Sequence, residues 1–485
     1  MQEHWAKLGE PSKTERKEET KNKTEPKLSQ VSRRDFLKKA APVVAGVGLA
    51  GVLGTGRVFG STSTPPQSPG RRIETASYVI YHENEFYAQN GSTGAIDFSG
   101  PDAAIVIQEA MMALKDGGKL FLKNGTYVVN STVRVPSNTA IEGEGWGTIV
   151  RVGDFANTEA FKSLEGSSGI IFKNFKIDGN KANQTSLTGA MINLSESADG
   201  LLENVMIDSS ADSGIWIAST TDVLVINCRV SNCNSAGVGI RGPLTARVAV
   251  IGGYYVGNVV GIQVINDCQF VTVVGVIAEN NSVPGQYGSG IEWTALVGFT
   301  PPMFGSVSGC VCAGNDRGIN LESNTSYVTV VGNCCVENLH GIALNSAQNC
   351  IVLNNICSFN GSGIKVWKLA EWNAPDVLSI VSNRCSDNVN DAISIDGAGV
   401  NNEIARNLGF NPQGPEPISV GSSPFTYVNT DNVPEVVYID GGAVSQIAKA
   451  STTLFTSTGK AVPMNPGETL SVTFSQTPTI VRDRR

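Results

Sequence analysis

The sequence predicts an all-β chain: a right-handed parallel β-helix, a single-stranded solenoid, with an N-terminal capping helix and a small C-terminal β domain. Three observations predict it. A phrase of Gly (once Ala) plus a branched apolar residue recurs eight times, at Gly214-Ile215, Gly237-Val238, Gly261-Ile262, Gly290-Ile291, Gly318-Ile319, Gly341-Ile342, Gly363-Ile364 and Ala392-Ile393. The intervals of 22 to 29 residues fit one coil of a solenoid and show no helical period. A second signal, an apolar or Cys residue followed by Asn, precedes six of the copies: Val230/Asn232, Ile277/Asn280, Cys312/Asn315, Cys335/Asn338, Cys357/Asn360 and Cys385/Asn388. Stacked at the strand spacing of about 4.8 Å, these give an inward apolar ladder and a turn ladder of Asn, which tolerates left-handed backbone. Third, 53 Gly, 41% hydrophobic and only 16% charged residues suit many short strands and turns.

Taken in order, residues 1–60 begin with a basic segment. Ser32-Arg33-Arg34-Asp35-Phe36-Leu37-Lys38 resembles the twin-arginine export signal, and an apolar stretch from Ala40 to Gly54 follows. The resemblance implies export to the periplasm, the cell surface or the medium. It leaves open whether the signal is cleaved near Gly60 or kept as an anchor, which would be the chain's sole membrane contact. Residues 61–76, rich in Ser, Thr, Pro and Gly, read as a linker. Ser99-x-x-Asp102 reads as a capping box. It opens a helix with Ala103, Ile105, Val106, Ala110, Met111 and Leu114 on one stripe, ending at Asp116-Gly117-Gly118 and covering the first core layer of the solenoid. Strands follow at 119–122, 126–129 and 139–142. The solenoid is expected over 77–411, stopping at Asn411-Pro412-Gln413-Gly414. Alternation in 436–439 and 470–474 marks an all-β segment over 424–485, which would either close the solenoid or serve oligomerisation or attachment.

Charge limits the partners. Residues 1–39 hold 11 Lys or Arg against 7 Asp or Glu, leaving 25 against 37 in the body. An acidic body argues against nucleic acid, and any grip on an anionic polymer must come from a local basic cluster. All ten Cys fall between 228 and 385, several at the inward ladder position. They read mostly as buried free thiols acting as small hydrophobes, without the paired spacing of a zinc site.

Residues 95–150, with helix, Gly-Gly, short strand, Gly125-Thr126-Tyr127 and Ile141-Glu142-Gly143-Glu144-Gly145, resemble the start of the pectate-lyase superfamily β-helix. Ile177-Asp178-Gly179-Asn180-Lys181-Ala182-Asn183-Gln184 resembles a turn found a few coils later in that superfamily. Asp97-Phe98-Ser99-Gly100 departs from its Gly-Asp-Gly lead-in, and Lys123 stands where Pro is common. The resemblance implies the fold over roughly residues 90–410; activity does not follow from it.

Site residues come from the phase of the repeat. The residue after each Gly points inward and the next outward. One outward column is then Trp216, Gln263, Glu292, Asn320, Ala343, Lys365 and Ser394. A second, two residues on, is Ala218, Thr294, Glu322, Asn345, Trp367 and Asp396, with Arg241 close to it. Aromatics, amides and charges on one face suit an extended polysaccharide, whose rings stack on Trp and whose hydroxyls bond amides. Trp216, Arg241, Asn320, Asn345, Trp367 and Arg317 are the candidate substrate contacts. His340, Asp316, Lys365, Glu292 and Glu322 are the candidate catalytic groups. Three coils resemble the polygalacturonase arrangement, with Asp316-Arg317 in place of paired aspartates, His340 in place of its Gly-His-Gly histidine, and Ile364-Lys365 near its Arg-Ile-Lys. Its Asn-Thr-Asp coil is replaced by Tyr287-Gly288-Ser289-Gly290. A lyase needs a base, for which Arg241, Arg317 or Lys365 would serve, and a counter-charge for the uronate, such as Ca²⁺ held by Asp316, Glu292 and Glu322. The expected function is cleavage of a uronate-containing polysaccharide by elimination or hydrolysis; the alternative is a non-catalytic glycan-binding surface or adhesion protein. Sugar, linkage, metal site and oligomeric state stay open.

Overall fold

In the computed structural model the described residues are 76–186, 189–282, 288–399, 401–410, 415–431 and 434–484. The export-like segment, the linker up to residue 75, Tyr287 and the 411–414 turn lie outside them. The chain is a right-handed parallel β-solenoid built on sheets of 15, 10 and 11 strands, followed by two four-stranded antiparallel sheets. Apart from the three antiparallel strands that open the 15-stranded sheet, consecutive strands of each long sheet come from consecutive coils.

The repeated phrase forms the 11-stranded sheet. Its branched residues, Ile215, Val238, Ile262, Ile291, Ile319, Ile342, Ile364 and Ile393, pair in register and are buried. The Gly before each is required by close approach. A Cβ at Gly214, Gly237, Gly261, Gly290, Gly318, Gly341 or Gly363 would come within 2.8 Å of the carbonyl oxygen of the next rung. Ala392 is the exception because its strand, Ile393–Asp396, is the last of the sheet.

The Asn ladder is present but shifted in two coils. It runs Asn258, Asn281, Asn315, Asn338, Asn360, Asn388, each amide donating to the Oδ1 of the next and to a backbone carbonyl. Cys233, whose N–H donates to Asn258, stands at the head of the ladder in place of Asn232, and Asn281 replaces the expected Asn280. A second ladder, Asn333, Asn355, Asn383 and Asn407, runs along another turn. All ten Cys are free and buried, and Cys312, Cys335 and Cys357 occupy one inward register column.

The capping helix is Ala103–Met112. Its N-cap is Asp102, whose Oδ1 accepts the N–H of Ala104 at 2.8 Å, whereas Ser99 lies in the strand Ile96–Gly100. The buried face is Ala103, Ala104, Val106, Ile107, Ala110 and Met111. Ile105, expected on the stripe, is 54% exposed, because at 3.6 residues per turn it falls on the side of the helix opposite the buried residues. The helix packs on strands Phe86–Asn90, Ile96–Gly100, Gly125–Val129 and Val133–Val135, covering the start of the solenoid. The antiparallel strands before it, Tyr78–His82, Phe86–Asn90 and Ile96–Gly100, were not expected from the sequence. The C-terminal sheets enclose a separate core of Val437, Ile439, Ile447, Val462, Met464, Leu470, Val472 and Ile480. Among the described residues no helix is long and apolar enough to cross a membrane.

Candidate functional site

The outward column of the 11-stranded sheet is continuous in register. It runs Arg134, Lys162, Asn193, Trp216, Gly239, Gln263, Glu292, Asn320, Ala343, Lys365 and Ser394. Beside it run Ala218, Arg241, Ile265 and Thr294, then Glu322, Asn345, Trp367 and Asp396. On the other side Ser289, Arg317, His340 and Ser362 form a third column. Sequence reasoning found the first two columns from residue 214 onward. It missed Arg134, Lys162 and Asn193, because the N-terminal coils lack the Gly-Ile phrase and only alternation marks their phase.

Eight candidates meet in the middle rungs. Glu292, 6% exposed, accepts from Gln263 Nε2 at 2.8 Å, Ser289 Oγ at 3.1 Å and Asn320 Nδ2 at 3.1 Å. Glu322 accepts from Thr294 Oγ1 at 2.7 Å, and from Arg317 Nη1 and Asn320 Nδ2 at 3.0 Å each. Asn345 Nδ2 reaches Asn320 Oδ1 at 3.0 Å and Glu322 Oε2 at 3.3 Å. Burial, and then the charge of Glu322, push the Glu292 carboxyl above its usual range. The ring of Trp367 lies 5.6 Å from the His340 ring, 5.6 Å from the Arg317 guanidinium and 5.4 Å from Lys365 Nζ. Burial, followed by the charges of Lys365 and Arg317, depresses His340 to about 4, so its imidazole is neutral at neutral pH. His340 Nδ1 and Asn345 Oδ1 are buried and have no hydrogen-bond partner among the described residues.

Three candidates stand apart from this cluster. The Asp316 carboxylate accepts the Gly288 N–H at 2.8 Å and the Ser282 hydroxyl at 3.3 Å. Trp216 and Arg241 lie further toward the N-terminus on the same face, the guanidinium 4.8 Å above the indole. The Ca²⁺ set expected from Asp316, Glu292 and Glu322 does not fit. Both glutamates have their oxygens occupied by N–H and O–H donors, one a guanidinium, and Asp316 is turned to a backbone amide. Among the described residues no three His, Cys, Asp or Glu are grouped to hold a metal.

Fold and face together define a right-handed β-helix protein with one long polar face, of which Asn320, Ala343 and Asn345 in the middle rungs are fully buried. Residues 119–283 match the family described as right handed beta helix region, and residues 303–413 the family described as periplasmic copper-binding protein (NosD). The cysteines of the second span are buried in the core, so the copper in that description finds no ligand set among the described residues. Among solved structures, the A-module of the mannuronan C-5 epimerase AlgE4 of Azotobacter vinelandii shares 17% identity. The match covers 63% of this chain and 91% of that one, with a TM-score of 0.52. The surface adhesin PfbA of Streptococcus pneumoniae shares 15%, covering 63% and 89% respectively, with a TM-score of 0.43. At these identities the likeness is one of fold. No curated protein matches the sequence significantly.

Proposed function

We propose that this protein acts on a uronate-containing polysaccharide laid along the outward face, removing the proton next to the uronate carboxylate. One observation carries the reading: a neutral His340 beside two cations, Arg317 and Lys365, and the Trp367 ring. In it, His340 takes the proton from the carbon bearing the carboxylate, and the two cations hold the negative charge that develops on that carboxylate. Expulsion of the neighbouring glycosidic oxygen, which takes up a proton, leaves an unsaturated sugar. Hydrolysis is less well served, since it needs one carboxyl to act as acid and another as base or nucleophile, and the oxygens of Glu292 and Glu322 are occupied by side-chain donors. These two residues act from beneath, Glu322 positioning Arg317 and Glu292 anchoring Asn320. The likeness in fold to an Azotobacter epimerase named for mannuronan supports a polysaccharide as the substrate class. The twin-arginine-like motif and the match to a family described as periplasmic support export.

A non-catalytic glycan binder is the second reading, favoured by the same saturation of the carboxylates. Incubation with polygalacturonate and with alginate, followed by absorbance of unsaturated product and a reducing-end assay, separates the readings. Both signals together are expected. Reducing ends without absorbance would mean hydrolysis, and binding with neither signal would sink cleavage by either route.

A further inference from the structure

We propose that Trp216, Gly239 and Arg241 form a remote subsite for an acidic sugar residue of the same polymer, and that this subsite sets the chain length the protein recognises. The proposal rests on the polysaccharide reading above. Gly239 pairs with Trp216 on one side and Gln263 on the other, and it is the one glycine in the outward column. A Cβ there would lie 2.9 Å from Trp216 Cδ1 and 3.0 Å from its Nε1, so the indole packs against the bare rung. The Arg241 guanidinium is stacked 4.8 Å from that ring. A guanidinium held over an aromatic ring presents its outward N–H groups to the carboxylate of a sugar laid along the face.

Three register steps separate Trp216 from Glu292, about 14 Å at the strand spacing. A ligand filling the His340 cluster alone does not reach the indole; a polymer lying along the sheet does. Beyond Trp216 the column continues through Asn193 to Lys162 and Arg134. The face therefore carries Arg134, Lys162, Arg241, Arg317 and Lys365 in a body whose charge is otherwise acidic, from end to end about 43 Å. Arg317 is paired with Glu322 and Lys162 lies 4.0 Å from Glu159, so the attraction for a polyanion along the face comes chiefly from Arg134, Arg241 and Lys365.

The test is binding of oligogalacturonates and oligomannuronates of increasing length, from dimers upward, to the wild type and to Trp216→Ala, Arg241→Gln and Gly239→Val. Thermal melts of each variant check folding, and Trp216→Phe serves as the conservative rescue. Long oligomers are expected to lose about tenfold in affinity in Trp216→Ala and Gly239→Val, with dimers unchanged and Trp216→Phe near wild type. Arg241→Gln should also flatten the salt dependence for long oligomers. Equal losses at every length, or no loss for the long oligomers, would overturn the subsite while leaving the polysaccharide reading intact. A wild type that binds no acidic oligomer of any length would instead remove the polysaccharide reading and the subsite with it.

Discussion

His340 is poised by its surroundings more than by its identity. Its pKa in the fold is about 4, against 6.5 in an unfolded chain. Above pH 6.5 both states hold it neutral. As pH falls from about 6.5 to about 4 the unfolded state takes up a proton that the folded state refuses, so this group lowers stability across that window. The same shift keeps the imidazole a competent base well into the acid range. If His340 takes the substrate proton, the pH–rate profile should lose activity on the acid side near pH 4. His340→Gln should cost about 10²–10⁴-fold in kcat and abolish that limb. Unchanged activity in the variant would take the residue out of the chemistry.

At the scale of the element, the rungs are held by matched vacancies and donors. Asn338 accepts from the Asn315 amide and backbone N–H, and donates to Cys312 O and Asn360 Oδ1. Asn338→Ala strands several buried groups at once and should cost about 2–4 kcal/mol in denaturant unfolding. Asn280→Ala, at an exposed turn position outside the ladder whose φ of 51° disfavours Ala, should cost only about 1 kcal/mol. Equal effects would mean that the ladder is not what holds the turn. These two residues also show how the sequence informs and misleads. The Gly-Ile phrase is legible because burial and rung contact both constrain it in every coil from Gly214 onward. The Asn ladder is legible only to within a residue, since Asn280 and Asn281 are adjacent and identical and only backbone geometry selects one. Columns were read correctly where the phrase fixes the phase. The partners of Asp316, and the saturation of Glu292 and Glu322, depend on side-chain directions that spacing does not carry.

Across the whole molecule, the ten thiols lie within the solenoid. Burial pushes Cys228, Cys233, Cys268, Cys310, Cys334 and Cys350 up to about 12, which keeps them protonated and unreactive. Hydrogen bonds from Cys312 and Cys357 lower Cys335 to about 5, but all ten thiols are buried, so the folded protein should give no rapid reaction with a thiol reagent and the denatured protein should titrate all ten. Fewer than ten after denaturation would show that some pair in the mature protein. For an exported chain this makes the order of events matter: thiols buried before they meet an oxidising compartment are protected, while those of an unfolded chain are not.

Ala392 gives the solenoid an end as well as a last rung. At every earlier copy of the phrase the absent methyl leaves room for the carbonyl of the following coil. A further strand arriving on Ile393–Asp396 in the same register would drive its carbonyl oxygen into the Ala392 side chain. An open sheet edge is ordinarily a template on which another molecule can add. Here a single methyl would oppose a strand adding in that register, so Ala392→Gly should form larger species at high concentration in light scattering if that edge is where copies would add.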